Sequence, residues 1–205
     1  MRKTLIVVPV KDPAASKTRL AGVLGASARR RLVRHLYRRT LDVLGPVAEA
    51  AEADLAVVTS SVEARRCAEE RGVRVLDETG CVGLNHALSR TAEIAAADGY
   101  KRLCIIPADL AAPAPEEISR LLESDADVTV CPSTDQGTNA LLLSPPDAIQ
   151  FRYGARSSVR HLEEARLLGL STRLMQLESL SFDIDTSTCL SLAIEAEPEL
   201  ARVCA

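Results

Sequence analysis

Short apolar runs and amphipathic segments take turns along this chain, and that alternation restricts the fold more than any other feature. Strand-like runs at 4–10, 54–59 and 73–77 are each followed by a segment of helical periodicity, at 27–44, at 62–71 where Gly72 closes it, and at 83–97. The pattern continues with "RLCIIPAD" (102–109), a helix opened by Pro113 and Pro115 and running through Leu122, and two further strands in "DVTVCPS" and "NALLLSPP". Strands buried in a parallel sheet read as continuous Val/Ile/Leu runs, and a proline in the first turn of a helix costs no hydrogen bond. Repeated strand–helix units therefore predict an α/β chain, with a mostly parallel central sheet and helices on both faces. Ligands of such a sheet collect in the crevice outside the carboxyl ends of its strands. A length of 205 residues suits one domain, 1–205, with a large core, and no repeat or low-complexity linker divides it.

The first strand empties into a loop, "TLIVVPVKDPAASKTRL", that holds Lys11, Lys17 and Arg19 at the rim where ligands bind. A polar surface loop is the plain reading. The other is an anion site that works through side chains, because the glycines of a P-loop are absent and no cradle of backbone amides is implied. A second rim position, Asp109 in "IIPADL", follows an apolar run; it is read either as a turn cap or as a metal ligand. "FDIDT" adds Asp183 and Asp185, alternate residues that share one side of an extended segment. Carboxylate oxygens are hard ligands that suit Mg²⁺, which keeps its remaining positions for water and phosphate oxygens.

The arginine-rich stretch "ARRRLVRHLYRR" (28–39) is the one local hint of nucleic-acid binding. Leu32, Val33, Leu36, Tyr37, Leu41 and Leu44 recur at helical spacing, which leaves the arginines on a solvated face. Aromatic residues make up 2% of the chain and the net charge is −3, so neither stacking platforms nor a basic field favour a nucleic-acid partner. Six scattered cysteines without a C-x-x-C pair read as reduced thiols, no apolar run is long enough to span a membrane, and no signal segment is seen at the start. A soluble cytoplasmic protein is expected from these features.

Taken in order, "VPVK…SKTRLA", "GLNHAL", "IPADL", "DQGTNALLLSPP", "FRYGARSSVRHLEEA" and "FDIDT" resemble the CofC/FbiD family of phospholactate or phosphoenolpyruvate guanylyltransferases over essentially the whole chain. "GTNALLL" together with the Gly, Ser and His of "YGARSSVRH" is the most specific part. The resemblance implies a single-domain Rossmann-like fold of GT-A type, shared with the molybdenum-cofactor guanylyltransferases. It also implies transfer of GMP from GTP to the phosphate of a small phosphorylated acid, in assembly of the deazaflavin coenzyme F420, with Mg²⁺ as cofactor and pyrophosphate as the leaving group.

By the same resemblance Lys17 and Arg19 hold the leaving phosphates, with Lys17, Arg19 and Asp109 as the catalytic set. Pro9, Val10 and Lys11 line the nucleoside and Asn85 contacts it. Asp109 with one or both of Asp183 and Asp185 holds the metal, and Thr138, Gly154 and Ser157 bind the acid. Read by themselves, Gly154 is a turn glycine, Ser157 is the N-cap of the following helix, and His161 is a packed or surface histidine. Phosphoenolpyruvate or 2-phospho-L-lactate is expected ahead of 3-phosphoglycerate. A related enzyme acting on a molybdopterin or sugar phosphate, a noncatalytic nucleotide-binding domain and a homodimer all stay open. Relatives commonly carry a proline and an acidic residue after the metal-binding Asp, where this chain reads "DTSTCL" with Thr188 and Cys189, so weaker capping is expected for the helix after Asp185.

Overall fold

The computed structural model describes residues 3–12 and 16–205. Seven strands form one sheet: β1 (Thr4–Pro9), β2 (Asp54–Val58), β3 (Arg74–Leu76), β4 (Arg102–Ile105), β5 (Val128–Pro132), β6 (Thr138–Leu143) and β7 (Thr172–Leu174). Their spatial order is β3-β2-β1-β4-β6-β5-β7, and β6 alone runs antiparallel, against both β4 and β5. The mostly parallel sheet read from the strand–helix alternation is the sheet observed. Reversal of β6 has a local consequence. Its amino end, not its carboxyl end, reaches the rim where β1 and β4 finish.

Every residue of β1 from Thr4 to Val8 is buried, and its apolar side chains divide between the two faces with period two. Ile6 and Val8 pack with α1 (Ala26–Ala50), α2 (Val62–Glu69) and α4 (Pro115–Leu122); Leu5 and Val7 pack with α3 (Gly83–Ala97) and α5 (Ser157–Leu167). Full burial of each such aliphatic side chain contributes about 1.5–3 kcal/mol. A third cluster joins Leu20, Leu32 and Leu36 to Ile184, Leu190, Ala193 and Leu200, drawing α7 (Ser187–Ala196) and α8 (Glu199–Cys204) over the end of α1.

Leu32, Val33, Leu36, Tyr37, Leu41 and Leu44 are all buried, as their spacing predicts. The helix nevertheless runs past the expected end at 44, through Gly45 and Pro46, to Ala50. Val47 and Ala48 on that last turn are buried in the core, and their packing offsets the hydrogen bond that a proline cannot make. Two further expectations are corrected. Ser157 is the first residue of α5 and not its cap, a place taken by Arg156 at φ 53. The helix after Asp185 keeps a cap despite its altered sequence, because Thr186 Oγ1 accepts from Cys189 N–H at 3.2 Å.

β6 carries one irregularity that matters for the site. Cys131 pairs with Ala140 but Pro132 pairs with Thr138, so Asn139 has no partner residue across the ladder. Such a bulge resets the alternation of side chains. Ala140 and Leu142 belong to the α1 side, whereas Thr138 bonds to α5. No helix among the described residues is long and apolar enough to cross a membrane.

Candidate active site

At the carboxyl rim of β1 and β4 lies a cleft of about 800 Å³, lined by Pro9, Val10, Lys11, Lys17, Asp109 and Asp185 among others. The opposite wall comes from the loop after β3 and the start of α3: Glu78, Thr79, Gly80, Cys81, Gly83 and Leu84. Sequence reasoning passed over this wall. Its signal was present in the glycines of "TGCVG", since Gly80 and Gly83 take φ angles of +83 and +79, a region that side chains rarely adopt.

Lys17 is the pivot of the cleft floor. Its backbone is left-handed, at φ 55 and ψ 40, and its side chain is only 4% exposed. Nζ donates to Asp109 Oδ2 at 2.5 Å and to Asp185 Oδ1 at 2.7 Å. Burial alone would lower the pKa of this ammonium, but the charges and hydrogen bonds of Asp109 and Asp185 outweigh it and raise the pKa above the ordinary lysine value. Arg19 stands at the edge with 73% of its side chain exposed, 4.0 Å from Asp185 Oδ2, and Lys11 is an exposed residue of the lining. The three cations of the opening loop thus occupy three different settings.

Asp109 sits in the turn after β4, and Asp183 and Asp185 arrive from the far end of the chain. A single antiparallel bridge, Leu110 with Asp183, joins the two segments, and Ala111 N–H donates to the Phe182 carbonyl at 3.1 Å. Oxygen atoms of Asp109, Asp183 and Asp185 all lie within 4.8 Å of one another, which makes the three a candidate metal site. Burial, then the negative charges of Asp109 and Asp185, raise the carboxyl of Asp183 above its usual range; Lys17 only partly opposes them. Crowded like charges of this kind are relieved by a bound cation.

The second group of expected residues, Thr138, Gly154 and Ser157, is not in that lining. Thr138 and Ser157 are buried, 8% and 1% exposed, and Ser157 Oγ donates to Thr138 Oγ1 at 3.0 Å. Gly154 is exposed and takes φ +132, so the turn it occupies favours glycine. A Cβ at the neighbouring Gly137 would stand 2.5 Å from Ser133 Oγ, so that side chain would have to move. Hydrogen bonds from Ser133 Oγ and Gly137 N–H, and beyond them the charge of Arg19, hold the carboxyl of Asp135 below its usual range.

Asn85 turns its amide toward the protein. Its Nδ2 donates to the Tyr153 carbonyl at 3.2 Å and its Oδ1 accepts from Tyr153 N–H at 2.8 Å, pinning the 152–156 loop to α3. His161 is fully buried and hydrogen-bonded through both ring nitrogens, the packed setting of the two foreseen for it. Asn139, absent from the sequence reading, is 8% exposed and has a buried Nδ2 without a partner among the described residues.

Comparison with known proteins gives the fold and the family. A nucleotidyl transferase from Methanothermobacter thermautotrophicus has the same fold, at a TM-score of 0.61 and 15% identity with 98% of each chain covered. A 3-phospho-D-glycerate guanylyltransferase of Colwellia psychrerythraea is 36% identical over 98% of this chain and 98% of its own. A phosphoenolpyruvate guanylyltransferase of Sphaerobacter thermophilus is 37% identical, over 89% of this chain and 88% of its own. The family described as guanylyl transferase CofC like matches residues 4–197, and to that family this chain belongs.

Proposed function

We propose that the chain transfers GMP from GTP to the phosphate of a small phosphorylated carboxylic acid, phosphoenolpyruvate or 2-phospho-L-lactate, and releases pyrophosphate, as a step of coenzyme F420 assembly. One observation carries the reading: a lysine and three carboxylates meet at the carboxyl rim of β1 and β4, beside a cleft of about 800 Å³. An oxygen of the acid's phosphate attacks the α-phosphorus of GTP while the bond from that phosphorus to the β-phosphate oxygen breaks. A phosphate already ionised at neutral pH needs no strong base, so positioning and charge neutralisation do most of the work.

The donor set fits a metal. Three hard carboxylates gather within 4.8 Å, and burial, with the charge of its two neighbours, raises the pKa of Asp183. Asp109, Asp183 and Asp185 would hold Mg²⁺, which supplies positive charge between two phosphates that otherwise repel. Pro9, Val10 and Lys11 line the nucleoside side of the cleft, and Asn85 anchors the Tyr153 loop. Lys17 and Arg19 offer their charge to the departing pyrophosphate. Thr138, Gly154 and Ser157 receive the carboxylate of the acid. We place the reaction in the cytoplasm.

A second reading is supported by the 36% identity to the 3-phospho-D-glycerate guanylyltransferase, which extends over 98% of this chain. Pyrophosphate release with GTP, Mg²⁺ and each of the three acids in parallel tests both readings. Turnover with one acid and not with the others assigns the substrate; no turnover with any of them refutes the assignment to this class.

A further inference from the structure

His161 is a fully buried histidine with a complete and directional set of partners. Its Nε2 stands 3.0 Å from the backbone N–H of Arg152, and an N–H can only donate, so Nε2 is an acceptor and carries no hydrogen. The neutral ring must then bear its hydrogen on Nδ1. That nitrogen lies 3.1 Å from Thr138 Oγ1, which consequently accepts from it. Thr138 Oγ1 accepts a second hydrogen bond from Ser157 Oγ at 3.0 Å. A hydroxyl oxygen has two lone pairs and one hydrogen. With both lone pairs engaged by donors, the hydroxyl hydrogen of Thr138 is left to point at something else.

The surroundings fix the ring in this role. Tyr153 packs edge-on against it with centroids 5.2 Å apart and planes at 68°. Burial pulls the imidazole pKa down to about 4, so the ring is neutral at physiological pH and keeps Nε2 free to accept. Thr138 itself reaches α5 only because the bulge at Asn139 turns it away from the α1 side.

We infer that His161 is a positioning residue for the acid: through Thr138 it orients one hydroxyl hydrogen as a fixed donor toward an anionic oxygen of the substrate. The inference rests on the reading of Thr138 as an acid-binding residue. A donor aimed in advance spares the substrate the cost of ordering it, and it rejects an acceptor that brings a hydrogen of its own to that point. His161 touches no reacting atom and takes no proton in the reaction.

The two bonds of the ring can be removed separately. His161→Gln places an amide oxygen where Nε2 was, keeping the acceptor for Arg152 N–H and losing the donor to Thr138. His161→Asn places an NH₂ near the position of Nδ1, keeping the donor to Thr138 and losing the acceptor. Steady-state kinetics with phosphoenolpyruvate, 2-phospho-L-lactate and 3-phospho-D-glycerate as probes are expected to show KM for the acid used raised about tenfold in His161→Gln, as for loss of one oriented hydrogen bond. KM for GTP stays at the wild-type value, and His161→Asn recovers most of the loss. Thr138→Val serves as the reference and raises the same KM at least as far.

If Thr138→Val leaves KM for the acid unchanged, or none of the three acids reacts, the acid-binding reading fails and this inference with it. If Thr138→Val raises it and His161→Gln does not, only the positioning role is refuted. Equal damage to acid and GTP in both histidine variants would reduce His161 to a packing residue and refute the role as well. Nitrogen-15 NMR of the wild-type chain is independent of whether the variants fold. A neutral ring protonated on Nδ1 is expected at pH 7, and a ring protonated on Nε2 overturns the inference.

Discussion

Lys17 Nζ lies 2.5 Å from Asp109 Oδ2, and the same ammonium reaches Asp185 at 2.7 Å, so one buried cation holds together carboxylates from two distant parts of the chain. Asp183, the third member of the cluster, makes no hydrogen bond to it among the described residues. This asymmetry separates variants that disturb the lysine from variants that disturb a metal.

Lys17→Met should lower stability in the presence of EDTA by about 2 kcal/mol. That figure lies between the small value of an exposed ion pair and the 3–5 kcal/mol of a buried one, because the two carboxylates keep part of their exposure. Added Mg²⁺ should recover part of the loss by neutralising the same charges. Urea unfolding with and without the ion checks this, and equal midpoints for variant and wild type would contradict the pivot role. Turnover should fall with either condition, as kcat and not only as KM for GTP.

Asp183→Asn leaves both bonds of Lys17 in place and removes one of three crowded negative charges. The folded state should be as stable as wild type or more so, while activity drops roughly a hundredfold or more if Asp183 is a metal ligand. Asp109→Asn should lose activity similarly but also weaken the grip on Lys17. Thermal melts and pyrophosphate release on the two variants distinguish the cases. Wild-type turnover by Asp183→Asn would remove Asp183 from the ligand set.

Gly154→Ala is a test of backbone and not of space. Nothing lies within 4 Å of the Cβ that alanine would add, but φ is +132, where a side chain is strained. A cost of about 1–3 kcal/mol is expected, together with a higher KM for the acid and an unchanged KM for GTP. A variant of wild-type stability would mean that the turn relaxes freely.

His161 sets a pH dependence whose sign follows from its lowered pKa. Between the ordinary value of 6.5 and the folded value of about 4 the unfolded chain binds the extra proton and the folded chain does not. Stability contributed by this residue is therefore complete above pH 6.5 and is lost as pH falls toward 4, by about 3 kcal/mol in all. Glu164 and Arg152, the charged neighbours of the ring, act in opposite directions on it. Urea midpoints from pH 4 to 7 should slope less steeply for His161→Gln than for wild type; parallel curves would contradict the assignment.

The sheet was readable because its strands are continuous apolar runs and its helices have one-sided periodicity, signals that local residues carry by themselves. β7 escaped because Thr172–Leu174 is three residues long, with one intermediate and two exposed positions. The extent of α1 escaped because Pro46 reads as a stop unless the burial of Val47 and Ala48 is known. At the site, Lys17 and Asp109 were legible as charges past strand ends, where burial without a partner would be costly, and Asp183 and Asp185 as alternate residues on one side of an extended segment. Their mutual arrangement was not, since no local pattern announces that residue 17 meets residue 185. His161 was legible as a residue but the direction of its hydrogen bonds was not, nor was the strand bulge at Asn139, because neither alters composition.

The bridge between Leu110 and Asp183 also has a consequence in time. A ribosome delivers the chain from its amino end at about 5–20 residues per second. All seven strands have been synthesised once Leu174 has emerged, but Asp183 and Asp185 come after them. The sheet can therefore assemble while the acidic cluster still lacks two of its three members, and Lys17 has only Asp109 to hold. The acidic cluster is complete only when that last segment pairs with Leu110.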